Sequence, residues 1–196
     1  MSVIVDDLVP RLGGLIEALA RVDDRVSVAI DGPDAAGKTT LADALAHHLT
    51  SHVVRASVDA FLLPAGIRYR RGPLSPQGCY LDSYDYAWLR REVLDPFAGG
   101  GAPAVLVVDG LFLLRPELRE RWTLSVHLDV APAETLRRAR VRDADLLGDE
   151  LERRYAERYL PAQDLYRADA DPLGTADVVI GYDDPAHPIV RRWPEL

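Results

Sequence analysis

Two hydrophobic rhythms take turns along this chain, one helical and one a short unbroken apolar run. Leu8, Leu12, Leu15, Ile16 and Leu19 share one face of a helix predicted within residues 3–21, with Pro10 and Gly13-Gly14 weakening its first turns. Val26-Ser27-Val28-Ala29-Ile30 then reads as a buried strand. Leu41, Ala42, Leu45, Ala46 and Leu49 restore helical spacing to about Thr50, and 52–58 form a second predicted strand finishing at Asp59. Tyr86, Leu89, Val93, Leu94 and Phe97 mark a helix over 85–97, ended by Gly99-Gly100-Gly101. Ala104 to Val108 predicts a third strand closed by Asp109, and 124–130 a fourth. Pro132 opens a helix to Asp143, Glu150 to about Ala168 is helical but interrupted by Pro161, and Ala176 to Ile180 is the fifth strand. Five strands separated by helices predict an α/β fold, a parallel sheet covered on both faces with ligands at the strands' carboxyl ends.

Between the first strand and its helix lies Gly32-Pro33-Asp34-Ala35-Ala36-Gly37-Lys38-Thr39, which fits the phosphate-binding pattern G-x-x-x-x-G-K-[ST] at every fixed position. Its two glycines let the backbone curl so that successive N–H groups face phosphate oxygens, and the helix that follows adds its positive end. Lys38 is expected to reach the β- and γ-phosphates of ATP, and the Thr39 hydroxyl to hold Mg²⁺, with Thr40 completing the loop's exit.

Composition sharpens that reading. Lys38 is the only lysine among 23 basic residues, so a chain that otherwise uses arginine has a compact ammonium where one must fit among phosphate oxygens. A net charge of −8 argues against a nucleic-acid surface but leaves a small anionic nucleotide unaffected. At 196 residues, 48% hydrophobic and 28% charged, the chain predicts one soluble domain over 1–196, without a membrane span or leader, hence cytoplasmic. Cys79 is the only cysteine, which excludes an internal disulfide, and is expected to be an inert thiol.

The remaining chemistry gathers where strands end. Asp31, Asp59 and Asp109 all stand at carboxyl ends of predicted strands, the edge where the phosphate loop opens. Asp109 has the form of a Walker B acid for Mg²⁺, with a helix-capping Asp as the alternative. Asp59 is the best candidate for a base toward an acceptor hydroxyl, or else a turn or cap. From about 60 to 84 there is no sustained period, only Pro and Gly punctuation around Arg68, Tyr69, Arg70 and Arg71, which suggests a functional loop. Arg138 and Arg142, four apart, share a helix face and either point at one ligand as part of a lid over about 138–168 or are merely solvated. His47 and His48 end a helix, and solvation there is expected over metal ligation.

Taken in order, these segments resemble the uridine kinase and phosphoribulokinase branch of the P-loop kinases. The resemblance is carried by Ile30 to Thr40, Val58-Asp59-Ala60-Phe61, Val107 to Leu113, Arg138 with Arg142-Asp143, Tyr159 to Tyr166, and Ala176 to Ile180. It implies a P-loop NTPase fold with sheet order 2-3-1-4-5, Asp59 as base, Asp183 near adenine, and Phe61, Arg68, Tyr80 and Tyr86 near the acceptor. Three departures bear on the acceptor. Leu62 replaces an aromatic residue, Asp109 a frequent glutamate, and the segment that helps uridine kinases read the pyrimidine is either missing between Phe97 and Val105 or replaced by the Arg68 to Tyr86 region.

The expected activity is transfer of the ATP γ-phosphate to a metabolite hydroxyl, first of all a nucleoside such as uridine or cytidine. A sugar, phosphosugar or pantothenate-like alcohol is the neighbouring alternative, an anionic acceptor suiting Arg68, Arg70 and Arg71. A nucleotide-binding regulatory protein is the alternative of another class. The surface of residues 1–21 is free to serve a homo-oligomer.

Overall fold

The computed structural model describes residues 3–4 and 8–195. Seven strands form one sheet: β1 (Val3–Ile4), β2 (Arg25–Asp31), β3 (Val53–Ser57), β4 (Ala104–Gly110), β5 (Leu124–Asp129), β6 (Val178–Gly181) and β7 (Ile189–Arg192). Their spatial order is β1-β7-β6-β5-β2-β4-β3. The five interior and right-hand strands, β6-β5-β2-β4-β3, are parallel and correspond to the expected order 2-3-1-4-5. Two short antiparallel strands, β7 and β1, extend the sheet beyond β6. Neither shows a readable period in the sequence, because two to four residues are too few to display alternation.

Strand alternation divides the core. Val26, Val28, Ile30, Val105, Val107, Val126 and Leu128 point toward α1 (Leu8–Leu19) and α2 (Lys38–His48). Ala29, Leu106, Val108 and Val179 point the other way, under α3 (Pro76–Asp82), α4 (86–98) and α6 (151–170). Helix α5 (Pro132–Arg142) leaves β5, and with Leu151 and Tyr155 its Ala139 makes a small third cluster. The predicted first helix begins at Leu8, and its residues 5–7 lie outside the described residues.

The two prolines inside helical stretches do not end them. Helix α4 passes through a wider π turn at Arg90–Leu94 just before Pro96, and α6 does so at Tyr155–Tyr159 just before Pro161. Each ring lacks a donor and collides with the preceding turn of an α-helix, and the wider turn makes room for it. Pro161 was therefore a feature within the helix rather than an interruption.

The stretch 60–84 is also more ordered than its punctuation suggests. It contains a helical turn, Ala65–Arg68, and α3, whose Ser75 side chain accepts from Gly78 N at 3.0 Å. Leu63 N donates to Ser83 O and Asp85 N to Phe61 O, both at 2.9 Å, closing the segment's ends on each other.

Register lines up the site. Asp31 is paired with Gly110 across β2 and β4, Ser57 with Asp109 across β3 and β4, and Asp31 with His127 across β2 and β5. The phosphate loop, Asp59 and Asp109 thus share one edge of the sheet. Among the described residues no helix is long and apolar enough to cross a membrane.

Candidate active site

The loop from Gly32 to Thr40 leaves buried β2 and turns into α2 through backbone of unusual sign. Gly32 and Gly37 have φ of 150° and 90°, and a Cβ at Gly32 would come within 2.8 Å of Leu128 O, so only glycine fits there. Ala35 also adopts a positive φ, 53°, a strained value that the turn imposes. Lys38 Nζ donates to Pro33 O at 2.6 Å, folding the side chain back along the loop. The first amides of α2 have no intrahelical acceptor and stand at the positive end of the helix.

A cavity of about 350 Å³ opens over this loop, lined by Asp34 to Thr40, Asp59, Tyr84, Asp109 to Leu111 and Arg142. Thr39 Oγ1 donates to Asp109 Oδ2 at 2.6 Å, so hydroxyl and acid already meet. Asp109 is nearly buried, and its other oxygen accepts from Arg55 Nη2 at 2.9 Å. Arg55, on β3, also pairs with Asp43 of α2. Its position among alternating residues of an edge strand gave no sign of this partnership.

Asp59 sits in the first turn of a short 3₁₀ segment, Val58–Phe61, directly after β3. Its carboxylate reaches the cavity and accepts from Tyr84 OH at 3.1 Å. Burial, and then the charges of Asp59 and Asp34, push the Tyr84 phenol far up, so it stays protonated and donating. Tyr84 is a site residue that sequence reasoning missed. Asp34 faces the same space, where burial raises its carboxyl while Lys38 and Arg142 pull it down. Burial lowers the Lys38 ammonium against the opposing pull of Asp34, Asp31 and Asp59.

Several expected residues lie elsewhere. Arg138 and Arg142 are turned to different partners. Arg138 donates to Ala36 O at 3.2 Å and Asp183 O at 2.9 Å and pairs with Glu134, tying the phosphate loop to the loop after β6. Arg142 lines the cavity but is held by both oxygens of Asp143, at 2.6 and 2.8 Å. Asp183 uses Oδ1 to accept from Ala131 N at 2.7 Å. Asp31 is wholly buried and serves as a hub, bonded to Leu113 N, His127 Nδ1 and Tyr166 OH.

The aromatic residues expected near the acceptor are packing residues. Phe61 stacks edge-on against Trp88, and Tyr80 and Tyr86 flank the buried guanidinium of Arg115 at 5.0 and 4.4 Å. Tyr80 OH is bonded to Asp169 and Tyr86 OH to Leu111 O. The basic run is likewise divided, because Arg70 and Arg71 are both drawn onto buried Asp82. Arg68 of that run lines a second cavity of about 180 Å³ that adjoins the first through Asp34, Tyr84, Leu111 and Arg142. Cys79 lines it too, and burial pushes its thiol up to about 12.

No protein-family profile matches this sequence, and no curated protein matches it. Solved structures do. One described as a possible uridine kinase from Bacillus stearothermophilus superposes with a TM-score of 0.64 at 21% identity, covering 86% of this chain and 98% of that one. The structure of YGR205w superposes with a TM-score of 0.59 at 14% identity, over 97% of this chain and 96% of that one. The fold is the P-loop NTPase fold. The resemblance read in the sequence therefore extends across nearly the whole architecture, and at these identities it speaks for the fold alone.

Proposed function

We propose that the chain is an ATP-dependent kinase that transfers the γ-phosphoryl group to a hydroxyl of a small metabolite. The observation that carries this reading is the meeting, in one cavity, of the phosphate loop, the Thr39–Asp109 pair and the Asp59–Tyr84 pair. The residues suit Mg-ATP: an all-oxygen pair at Thr39 and Asp109 matches a hard cation, and the loop amides with Lys38 match phosphate. Mg-ATP, when bound, supplies the phosphoryl group and the metal charge that offsets its oxygens.

The chain's own groups do the rest. Lys38 and the amides of 37–40 hold phosphate oxygens, Thr39 and Asp109 hold the metal, and Arg55 fixes the Asp109 carboxylate. Asp59 takes the proton of the acceptor hydroxyl while the Tyr84 phenol keeps its carboxylate turned into the cavity. Arg138 joins the phosphate loop to the Asp183 loop, a route by which the nucleotide's two ends are held in one frame.

A nucleoside acceptor such as uridine draws support from the sequence resemblance. Against it, Phe61, Tyr80 and Tyr86 make packing contacts and line neither of the two cavities. The test is ADP release from Mg-ATP across a panel of nucleosides, sugars, phosphosugars and pantothenate, repeated with Asp59→Asn. Acceptor-dependent release that falls by about 10²- to 10⁴-fold in kcat in the variant, with KM for Mg-ATP held, is the expected result. Nucleotide binding without acceptor-dependent release from any compound would favour a regulatory protein instead.

A further inference from the structure

The second cavity contains two cations that the protein itself does not neutralise. Arg158 is only 2% exposed, and its guanidinium donates to three carbonyls, Ser75 O at 3.1 Å, Arg68 O at 3.3 Å and Pro73 O at 3.4 Å, and meets the Cys79 thiol. Arg68 has a buried Nε without a hydrogen-bond partner. Among the described residues neither arginine is in an ion pair with an acidic side chain. Both lie over the ring of Tyr69, Arg68 at 5.2 Å and Arg158 at 4.9 Å, so one aromatic ring holds both guanidinium groups at the cavity wall.

Of the other charges lining this space, Arg142 is matched by an acid, and Asp34, which is in no ion pair among the described residues, feels the charges of Lys38 and Arg142. Arg142 is taken up by Asp143, which also accepts from Tyr155 OH at 2.8 Å. Asp34 lies toward Lys38 on the side shared with the first cavity. That leaves half-buried Arg68 and buried Arg158 without an acid paired to them among the described residues, and for Arg158 a buried cation without a counter-charge is costly unless an anion arrives to pair with it. Planar guanidinium groups bind carboxylate and phosphate oxygens through paired N–H donors.

We infer that the acceptor carries an anionic group, a carboxylate or a phosphate, bound by Arg68 and Arg158 in the 180 Å³ cavity while its hydroxyl lies toward Asp59 and Tyr84. The inference rests on the kinase reading for the hydroxyl end and on the two arginines for the anionic end. The basic run of the sequence is not the clamp, since Arg70 and Arg71 belong to Asp82 and the second cation comes from α6.

The experiment compares matched acceptors that differ only in charge: glycerate with glycerol, pantothenate with pantothenol, and ribose 5-phosphate with ribose. ADP release from Mg-ATP is measured for the wild-type chain and for Arg68→Gln, Arg158→Lys and Arg70→Gln. The expected result is an anionic acceptor with a KM about tenfold to a hundredfold below that of its neutral partner, a preference that Arg68→Gln abolishes. KM for Mg-ATP stays unchanged in that variant, and Arg70→Gln behaves as wild type. The glycerate and pantothenate arms against the ribose 5-phosphate arm separate carboxylate from phosphate.

A neutral acceptor that is used as well as its anionic partner, or an Arg68→Gln enzyme that keeps the anionic preference, would overturn the inference. Arg158 also supports the backbone at 68–75, so the Arg68 variant decides if Arg158→Lys fails to fold. If no acceptor is turned over, calorimetry with the same six compounds on protein saturated with Mg²⁺ and a non-hydrolysable ATP analogue decides. Binding of an anionic compound that is lost in Arg68→Gln upholds the anion site and sinks the kinase reading, whereas no anion binding sinks the inference.

Discussion

Tyr166→Phe removes one oxygen from the centre of the fold, and the structure gives its cost. The phenol is 1% exposed, donates to Asp31 Oδ2 at 2.9 Å and accepts from Leu114 N at 3.0 Å. Losing the bond to a charged acceptor costs about 1.5–3 kcal/mol, and leaving the Leu114 N–H buried without a partner costs a further 1–3 or so. Asp31 keeps His127 Nδ1 at 2.7 Å and Leu113 N at 3.0 Å, so its charge is not stranded and the lower half of the combined range applies, about 3–4 kcal/mol. In a domain of this size that lowers the melting temperature by roughly 10 °C. The assay is equilibrium denaturation in urea at pH 7, with the m-value checked for constancy. KM for Mg-ATP should not move at a temperature where both proteins are folded, because Tyr166 lines neither cavity. A loss below about 1 kcal/mol would refute the reasoning, since it would mean that neither buried partner depends on the phenol.

Thr39→Ala, which removes the hydroxyl donating to Asp109, is expected to raise the Mg²⁺ concentration for half-maximal transfer by about 10- to 100-fold while nucleotide binding without metal is kept; an unchanged Mg²⁺ titration would exclude Thr39 as a ligand. Glu17 is opposed by its own burial, but bonds from the backbone and hydroxyls of Ser51 and Thr50 prevail and hold its carboxyl down at about 2. A folded-state value below the unfolded one stabilises at pH above about 4.5 and the benefit is lost as pH falls through about 2. Glu17→Gln should therefore cost about 1–2 kcal/mol at pH 7, after allowance for solvent screening, and less as the pH nears 2; a penalty constant with pH would contradict this. Cys79, with its thiol pushed up to about 12 chiefly by burial, should react with a thiol-specific chromophore at pH 8 only as fast as the protein opens, and reaction as fast as in urea would show the thiol to be accessible.

The parts of the fold legible in the sequence were those whose pattern is set locally. Four of the five parallel strands, β2, β4, β5 and β6, are buried on both faces and therefore read as apolar runs, and α2 announces itself by the loop before it. The phosphate loop was legible because its backbone conformation needs particular residues at particular positions, and Asp109 because it ends an apolar strand. Phosphate chemistry leaves a local signature of this kind; the proposed acceptor site does not.

That site is assembled from residues whose neighbours come from far along the chain, and there residue type misleads. Arg68, Arg70 and Arg71 look alike in sequence, yet Asp82, eleven or twelve residues on, captures two of them and leaves one for the cavity. Tyr80, Tyr84 and Tyr86 look alike too. Arg115 draws Tyr80 and Tyr86 into the core, and Tyr84 alone turns to Asp59. Arg138 and Arg142 share a helix face, but Arg138 is held by Glu134 and by carbonyls of the phosphate loop and of the loop after β6, and Arg142 by Asp143. For Arg70, Arg71, Tyr80 and Tyr86 the winning partner, Asp82 or Arg115, is one that sequence spacing does not single out, and the residues left over, Arg68 and Tyr84, line the cavities. The same logic isolates Arg158, a buried arginine that pairs with no acid among the described residues, and this is what fits it to the proposed anion.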